Sequence, residues 1–243
     1  MHLGGIAIAL IDRPGQAMRE AASRPKSWWL PALLLVIGVA TYAMVTADTQ
    51  VSLANERSTQ MIERITASMS EEQAQMVRES SRPLDRSTYL LSSLGGGLFA
   101  MALGWVARGA LVHFGSMALG GVSTWGSAFA CALWSMVPFF VRDLLLTALY
   151  AVQGRVVEQM GLSFLVSSGD WLRDSRSVPY ALLSSVDPFA IWHLVLLALA
   201  IVAATRVGHG RATFLAVVVW ALLTAIKLVP VAVGAALTGG MVG

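Results

Sequence analysis

Polar and apolar positions in this 243-residue chain alternate in long blocks rather than short periods. Five apolar blocks approach or exceed the roughly 20 residues that a helix needs to cross a bilayer. They cover 28–47, 88–107, 127–150, 188–205 and 212–237. The first carries no charge, the third is interrupted by Arg142 and Asp143, and the fifth by Lys227. Two polar blocks, 48–87 and 151–187, separate them. The pattern predicts an all-α fold, a polytopic membrane helical bundle of about five transmembrane helices.

The polar blocks have helical signals of their own. Met61, Ile62, Ile65 and Met69 recur at helical spacing and predict an amphipathic helix. Ser70-Glu71-Glu72-Gln73 has capping-box form and predicts a second short helix toward Met76, ended by Arg82-Pro83. Trp171 is a candidate interfacial anchor in the second polar block. Residues 1–11 are apolar but too short to span, and they lack the basic start of a cleavable signal. Asp12-Arg13-Pro14 reads as a helix cap with proline in the first turn. Ala17, Met18, Ala21 and Ala22 then share one side, which predicts an arm lying in the headgroup layer, either a linker or a docking surface. The chain thus divides into an amphipathic arm, 1–27, and a five-helix membrane domain, 28–243.

Composition supports a bilayer as the solvent. The chain is 56% hydrophobic and 13% charged, with a mean hydropathy of +0.67, whereas a soluble domain has about 25% charged residues. The net charge of +3 comes from scattered residues without a basic stripe interleaved with aromatics, which argues against nucleic acid. A lone cysteine, Cys131, excludes an internal disulfide and a thiolate metal cluster, and it reads as a small buried hydrophobe. Lys26 and Lys227 are the only lysines, and with abundant Ala, Val and Gly this suggests a GC-rich bacterial genome.

Few residues carry candidate chemistry. Arg142 and Asp143 are costly inside a span. Adjacent residues point about 100° apart on a helix, so each should find its partner on another helix or reach the interface. Pro138, four residues earlier, is placed to kink the helix. Lys227, three residues before Pro230, either snorkels or pairs with Asp143. Arg142, Asp143 and Lys227 therefore form a candidate intramembrane polar site. His2, His113, His193 and His209 show no metal-ligand spacing, and no HExxH occurs. Gly121-Val122-Ser123-Thr124-Trp125 lacks the second glycine of a nucleophile elbow, and no spacing recommends a Ser123–His113 dyad. Gly95-Gly96-Gly97 has no following Lys-Ser or Lys-Thr, so it is not a phosphate loop. No cofactor or metal is expected; Met61, Met69 and Met76 read as helix-face hydrophobes rather than copper ligands. Gly96, Ala100 and Gly104 instead form a small-residue packing stripe, repeated by Ala200, Ala204 and Gly208 and by Ala232, Ala236 and Gly240. The expected use is packing within the chain, with a homo-oligomer or partner interface as the alternative.

Asp187-Pro188-Phe189-Ala190-Ile191-Trp192 opens the fourth block, with Asp187 suited to cap the helix, Pro188 to its first turn and Trp192 to the water boundary. Followed by Leu194-Val195-Leu196 and then Arg211-Ala212, it resembles the fourth helix, and the turn to the fifth, of Yip-family membrane proteins. Three other pieces agree in order: Leu10-Ile11-Asp12-Arg13-Pro14 with Pro25, Leu111-Val112-His113-Phe114 with Gly120-Gly121, and Ser127-Ala128-Phe129 leading to Val137-Pro138. The chain is identified as resembling a bacterial member over nearly its whole length except 48–87 and 151–180. The resemblance implies a five-helix membrane domain with a cytosolic N-terminus and no catalytic motif to transfer. Eukaryotic members are associated with Rab-type GTPases, a role a bacterium lacks, whereas some bacterial members look like accessory partners of ABC exporters.

The expected function is that of a non-enzymatic inner-membrane protein that scaffolds or modulates a membrane-protein partner, an ABC-type exporter being the class implied. The alternative is a small transporter or lipid-handling protein using the polar intramembrane site. Arg13, Arg19, Arg24, Lys26, Arg108, Arg206 and Arg211 are expected to gather on one side, cytoplasmic by the positive-inside rule. The two long polar segments and the C-terminus then lie outside. A reporter fused to Gly243 is expected to register the outer side; cytoplasmic activity there rules out the five-span arrangement.

Overall fold

The computed structural model describes residues 3–239; His2 and Gly240 of the readings above lie outside them. Helices account for every regular element described: α1 (Leu3–Asp12), α2 (Pro14–Ser23), α3 (Trp29–Thr66), α4 (Glu71–Ser80), α5 (Arg86–Leu90), α6 (Gly97–Ala118), α7 (Trp125–Trp134), α8 (Val137–Gln153), α9 (Trp171–Ser175), α10 (Val178–Ser184), α11 (Pro188–Thr205) and α12 (His209–Gly239). Five stretches among the described residues are long and apolar enough to cross a membrane: Pro25–Thr66, Arg86–Ala118, Trp125–Gln153, Pro188–Thr205 and His209–Ala235.

The first span is α3, 38 residues without a break. At 1.5 Å per residue it is about 57 Å long, nearly twice a hydrocarbon core of about 30 Å. The expected separate amphipathic helix around Met61 is instead the end of α3. Its extension is held by the returning chain: the Asn55 amide clamps the backbone of Leu84, accepting from its N–H at 2.7 Å and donating to its carbonyl at 3.0 Å. α4 begins where the sequence predicts, with the Ser70–Gln73 capping box formed.

The second span runs from α5 through a π-helical stretch, Leu91–Gly96, into α6. Three consecutive glycines, Gly95 to Gly97, leave this stretch little side-chain packing to enforce α geometry. The span continues well past Ala107. Arg108, expected in the following turn, lies buried inside α6, and His113 lies in the same helix. An arginine in that turn therefore no longer contributes to the charge asymmetry.

The third span is two helices. Pro138 has no N–H to donate to the carbonyl of Trp134, so α7 ends there and α8 starts at Val137. The Phe139 N–H turns to the Met136 carbonyl at 2.9 Å, which leaves the Ser135 carbonyl without its helical donor.

The N-terminal arm turns its apolar face, expected to meet headgroups, toward the bundle. Ala17, Met18 and Ala21 are buried with Ile6, Leu10, Cys131, Trp134, Leu196 and Ala200 in one core. Ser127 Oγ donates to the Ala22 carbonyl at 2.8 Å, and the Trp134 indole N–H to Ser27 Oγ at 3.0 Å. The apolar face of α2 is thus occupied by the chain itself. Asp12 ends α1 rather than capping α2, whose N-cap residue is Arg13. A second core joins Val112, Ala128, Ala132, Leu197, Ile201, Ala212, Leu215, Ala216 and Val219, so α11 lies between the two cores. Lipid offers no hydrophobic drive between helices; alanines at these contacts let them approach and pack by dispersion.

The end of the bundle that holds the arm closes on Gly120-Gly121. Gly120 has φ +82°, open to glycine at little cost. A Cβ on Gly121 would sit 3.0 Å from the carbonyl oxygens of Ser116 and Thr205 and collide with the Val207 side chain. Gly104, by contrast, faces open space. Gly121→Ala is expected to destabilise by about 1–3 kcal/mol, and Gly104→Ala to be neutral or stabilising by up to about 1 kcal/mol. Unfolding of the purified variants in detergent measures both.

Candidate functional site: charged groups inside the bundle

The polar residues within the spans gather around the α7–α8 break. The freed Ser135 carbonyl accepts a hydrogen bond from His193 Nδ1 at 2.7 Å. A carbonyl only accepts, so Nδ1 carries a proton and donates it. Next along the chain, the Met136 sulfur lies 2.9 Å from Nη1 of Arg108 and accepts from it. On the other side, the Phe139 ring lies between the His193 ring and the Arg142 guanidinium, at 5.0 Å from each.

Arg142 then bridges two carboxylates. Its Nη2 is 3.3 Å from Asp143 Oδ1 and its Nη1 is 3.5 Å from Asp187 Oδ2. The contact to Asp143 is long for a charge-assisted bond, as the divergence of adjacent helical side chains requires. Asp143 is buried against α3 at Gly38, where a Cβ would lie 3.4 Å from the Asp143 Cβ and 3.0 Å from Phe140. Asp187 has two roles: Oδ1 accepts from the Ala190 N–H at 2.6 Å as the N-cap of α11, and Oδ2 faces Arg142. Pro188 occupies the first turn of α11, with Phe189 and Trp192 following on the same helix.

Of the sequence-predicted polar site, the structure brings Arg142 and Asp143 together and adds Asp187. No ion pair joins Asp143 to Lys227 among the described residues; Lys227 is exposed on α12, within electrostatic reach of Arg108 and Arg142. Arg108 and His193 were missed as site members. Arg108 sits where the apolar run seemed to end, and His193 shows no partner along the sequence. Only the proline at 138 hinted that a carbonyl nearby needed a donor.

The remaining candidates fall elsewhere. Among the described residues no three His, Cys, Asp or Glu side chains gather as a metal site. The packing stripe of Gly96, Ala100 and Gly104 meets no other helix among the described residues: a Cβ at Gly96 or Gly104 has nothing within 4 Å, and Ala100 is exposed. The intramolecular packing expected of it is not found among the described residues. Ala200 of the second stripe is buried in a core, while Ala232 of the third is exposed. His113 Nδ1 and Ser123 Oγ do meet, at 2.8 Å, in the turn at the arm end. The nearby amides that an oxyanion site needs are used within the turn, Gly121 N–H on Ser116 and Val122 N–H on Thr205.

The opposite end carries a polar lobe built on the extension of α3. Arg57 pairs with Glu158 at 2.7 Å and lies over the Trp171 ring at 5.6 Å, while the Trp171 indole donates to Gln60 at 2.8 Å. Arg64 donates to Asp170 at 3.0 Å. That bond, with the Leu172 N–H, holds Asp170 below the usual carboxylate range; Ser167 Oγ, with the Ser168 N–H, does the same for Asp174. Both stay ionised near neutrality, and the hold lapses as pH falls through the depressed values. Between α3 and residues 153–180 lies a groove of about 780 Å³ with Arg57, Glu158, Trp171 and Tyr180 in its walls.

A family model described as the Yip1 domain matches residues 8–229. The chain belongs to the Yip family. That match joins the arm, the Gly120-Gly121 turn, the Pro138 break and the Asp187 cap in one domain. With its five apolar spans, this Yip-family chain is a multi-pass integral membrane protein. No curated protein and no solved structure matches it significantly.

Removing Arg142 leaves two buried carboxylates, Asp143 and Asp187, without their cation. Arg142→Met is expected to cost about 3–5 kcal/mol, whereas Lys227→Met, which breaks no ion pair seen among the described residues, is expected to stay within about 0.5 kcal/mol of wild type. Protein level in membranes and thermal unfolding in detergent check both; an equal loss in Lys227→Met indicates an ion pair to Lys227.

Proposed function

We propose that this Yip-family protein is a non-enzymatic scaffold or modulator of another membrane protein, with an ABC-type exporter as the partner class that the resemblance carries. The supporting observation is the lobe. About half of α3 extends beyond the length needed to cross lipid, and its extension is fastened to residues 153–180 by Arg57–Glu158, Arg64–Asp170 and Gln60–Trp171. Three contacts of this kind, around a groove of about 780 Å³, give a shaped polar surface. A mere connection between spans needs none of them.

The reading places the protein in the inner membrane with the arm end in the cytoplasm and the lobe outside. Arg13, Arg19, Arg24, Lys26, Arg206 and Arg211 support that orientation, since they lie near the arm end of the spans. The apolar face of α2 is buried in the bundle, so the lobe is the better contact surface.

A photo-crosslinking group placed at Glu158 in native membranes is expected to capture one stoichiometric membrane protein, identified by mass spectrometry as an exporter subunit. Trp171→Ala is expected to reduce capture at least fivefold with protein level unchanged. Purified protein that moves solute or lipid by itself in liposomes, together with an absence of capture, overturns the reading.

A further inference from the structure

A groove of about 270 Å³ runs between α11 and α12. Leu194, Ala198 and Val202 line it from α11, and His209, Thr213 and Ala216 from α12, each set at helical spacing. From Leu194 to Val202 it follows α11 for about 12 Å. It ends at the arm-end turn, where His209 begins α12. Val195 on its edge is 53% exposed and Thr213 is exposed, so the groove opens toward lipid. A groove that lies along a span and ends at the membrane surface has the run of an acyl chain below its headgroup.

The polar groups at that end are unengaged. The Arg206 guanidinium, the His209 ring and the Thr213 hydroxyl make no hydrogen bond or ion pair among the described residues. Their neighbours do: the Thr205 hydroxyl donates to the Ile201 carbonyl at 2.7 Å, and Arg211 to the Leu119 carbonyl at 3.2 Å. Arg206 lies four residues beyond Val202 and three before His209, exposed in the turn that closes the groove. Charge there has one sign. Residues 188–243 hold Arg206, Arg211 and Lys227 and no aspartate or glutamate.

Arg206 is also the one non-glycine residue at positive φ among the described residues, at +58°. It ends α11 in the left-handed conformation, where glycine is the cheap choice and a Cβ is penalised. Within the described chain its side chain returns no contact to offset that cost.

We propose that the groove holds an acyl chain of a glycerophospholipid of net negative charge, with the lipid phosphate on Arg206 and His209. Phosphate oxygens accept from the guanidinium and from the one N–H that either neutral tautomer of His209 carries. The Thr213 hydroxyl, one turn deeper on α12, donates to an ester carbonyl of the same lipid. A zwitterionic headgroup adds an ammonium, and the turn offers it no carboxylate. The net anion is therefore favoured, whichever side of the membrane the arm end faces.

Native mass spectrometry of the full chain in detergent tests this with palmitoyl-oleoyl phosphatidylglycerol and the matching phosphatidylethanolamine. Phosphatidylglycerol is expected to bind at least fivefold tighter. Arg206→Gly, which also relieves the turn of its Cβ, is expected to keep thermal stability and to bring the two lipids within twofold; Arg206→Gln takes its place if the glycine variant does not fold. Thr213→Phe, at an exposed position, removes the hydroxyl and crowds the groove, and is expected to weaken phosphatidylglycerol at least fivefold. A photo-crosslinking residue at Val195 in native membranes is expected to label lipid. Equal binding of the two lipids by the unaltered chain overturns the proposal, as does a preference that survives the Arg206 variant. So does phosphatidylglycerol binding unchanged in Thr213→Phe, or a crosslink from Val195 to a second copy or to another protein.

Discussion

The bond from His193 to the Ser135 carbonyl organises the interior of this protein. It exists because Pro138 cannot donate to the turn before it and the Phe139 N–H goes to Met136 instead. In water a freed carbonyl would be hydrated. In lipid it must find a donor inside the protein, and α11 supplies one from a residue less than two turns inside its own start. The bond sets the relative height of the third and fourth spans. At that height the Arg142 guanidinium lies opposite Asp187 rather than a turn away.

The same constraint accounts for the charges at the lobe end of the spans. Arg142 and Asp143 are adjacent on one helix and cannot satisfy each other well. Gly38 on α3 makes room for the Asp143 carboxyl, and the Asp187 cap on α11 offers its second oxygen to Arg142. Three helices are tied by groups each of which would be costly alone. At the arm end no such ties are needed. There α1 and α2 fill the space under α7 and α11, and small residues bring the helices close.

The bilayer makes the fold class legible from sequence. Apolar blocks of bilayer length leave helices as the only economical way to satisfy the backbone. The local signals at Ser70–Gln73 and Asp187–Pro188 are equally legible because capping depends on a few neighbouring residues. The second span was misread at its end for a physical reason. Arg108 interrupts the apolar run, and a buried arginine looks in sequence like the first residue of a turn. The partner of the arm's apolar face was misread because an amphipathic face looks the same whether it meets headgroups or a helix of its own chain.

The sequence by itself determined the five membrane-length helices, the proline break and the caps at Ser70 and Asp187, since each follows from length, hydropathy or bonding within one turn. The tertiary structure alone decided which polar groups meet. Asp143 faces Arg142 and Gly38 rather than Lys227. Arg108 and His193 converge on two neighbouring residues. The Gly96–Ala100–Gly104 stripe turns away from the bundle. Those outcomes depend on the rotation and height of one helix against another, set by packing contacts between residues far apart in the chain.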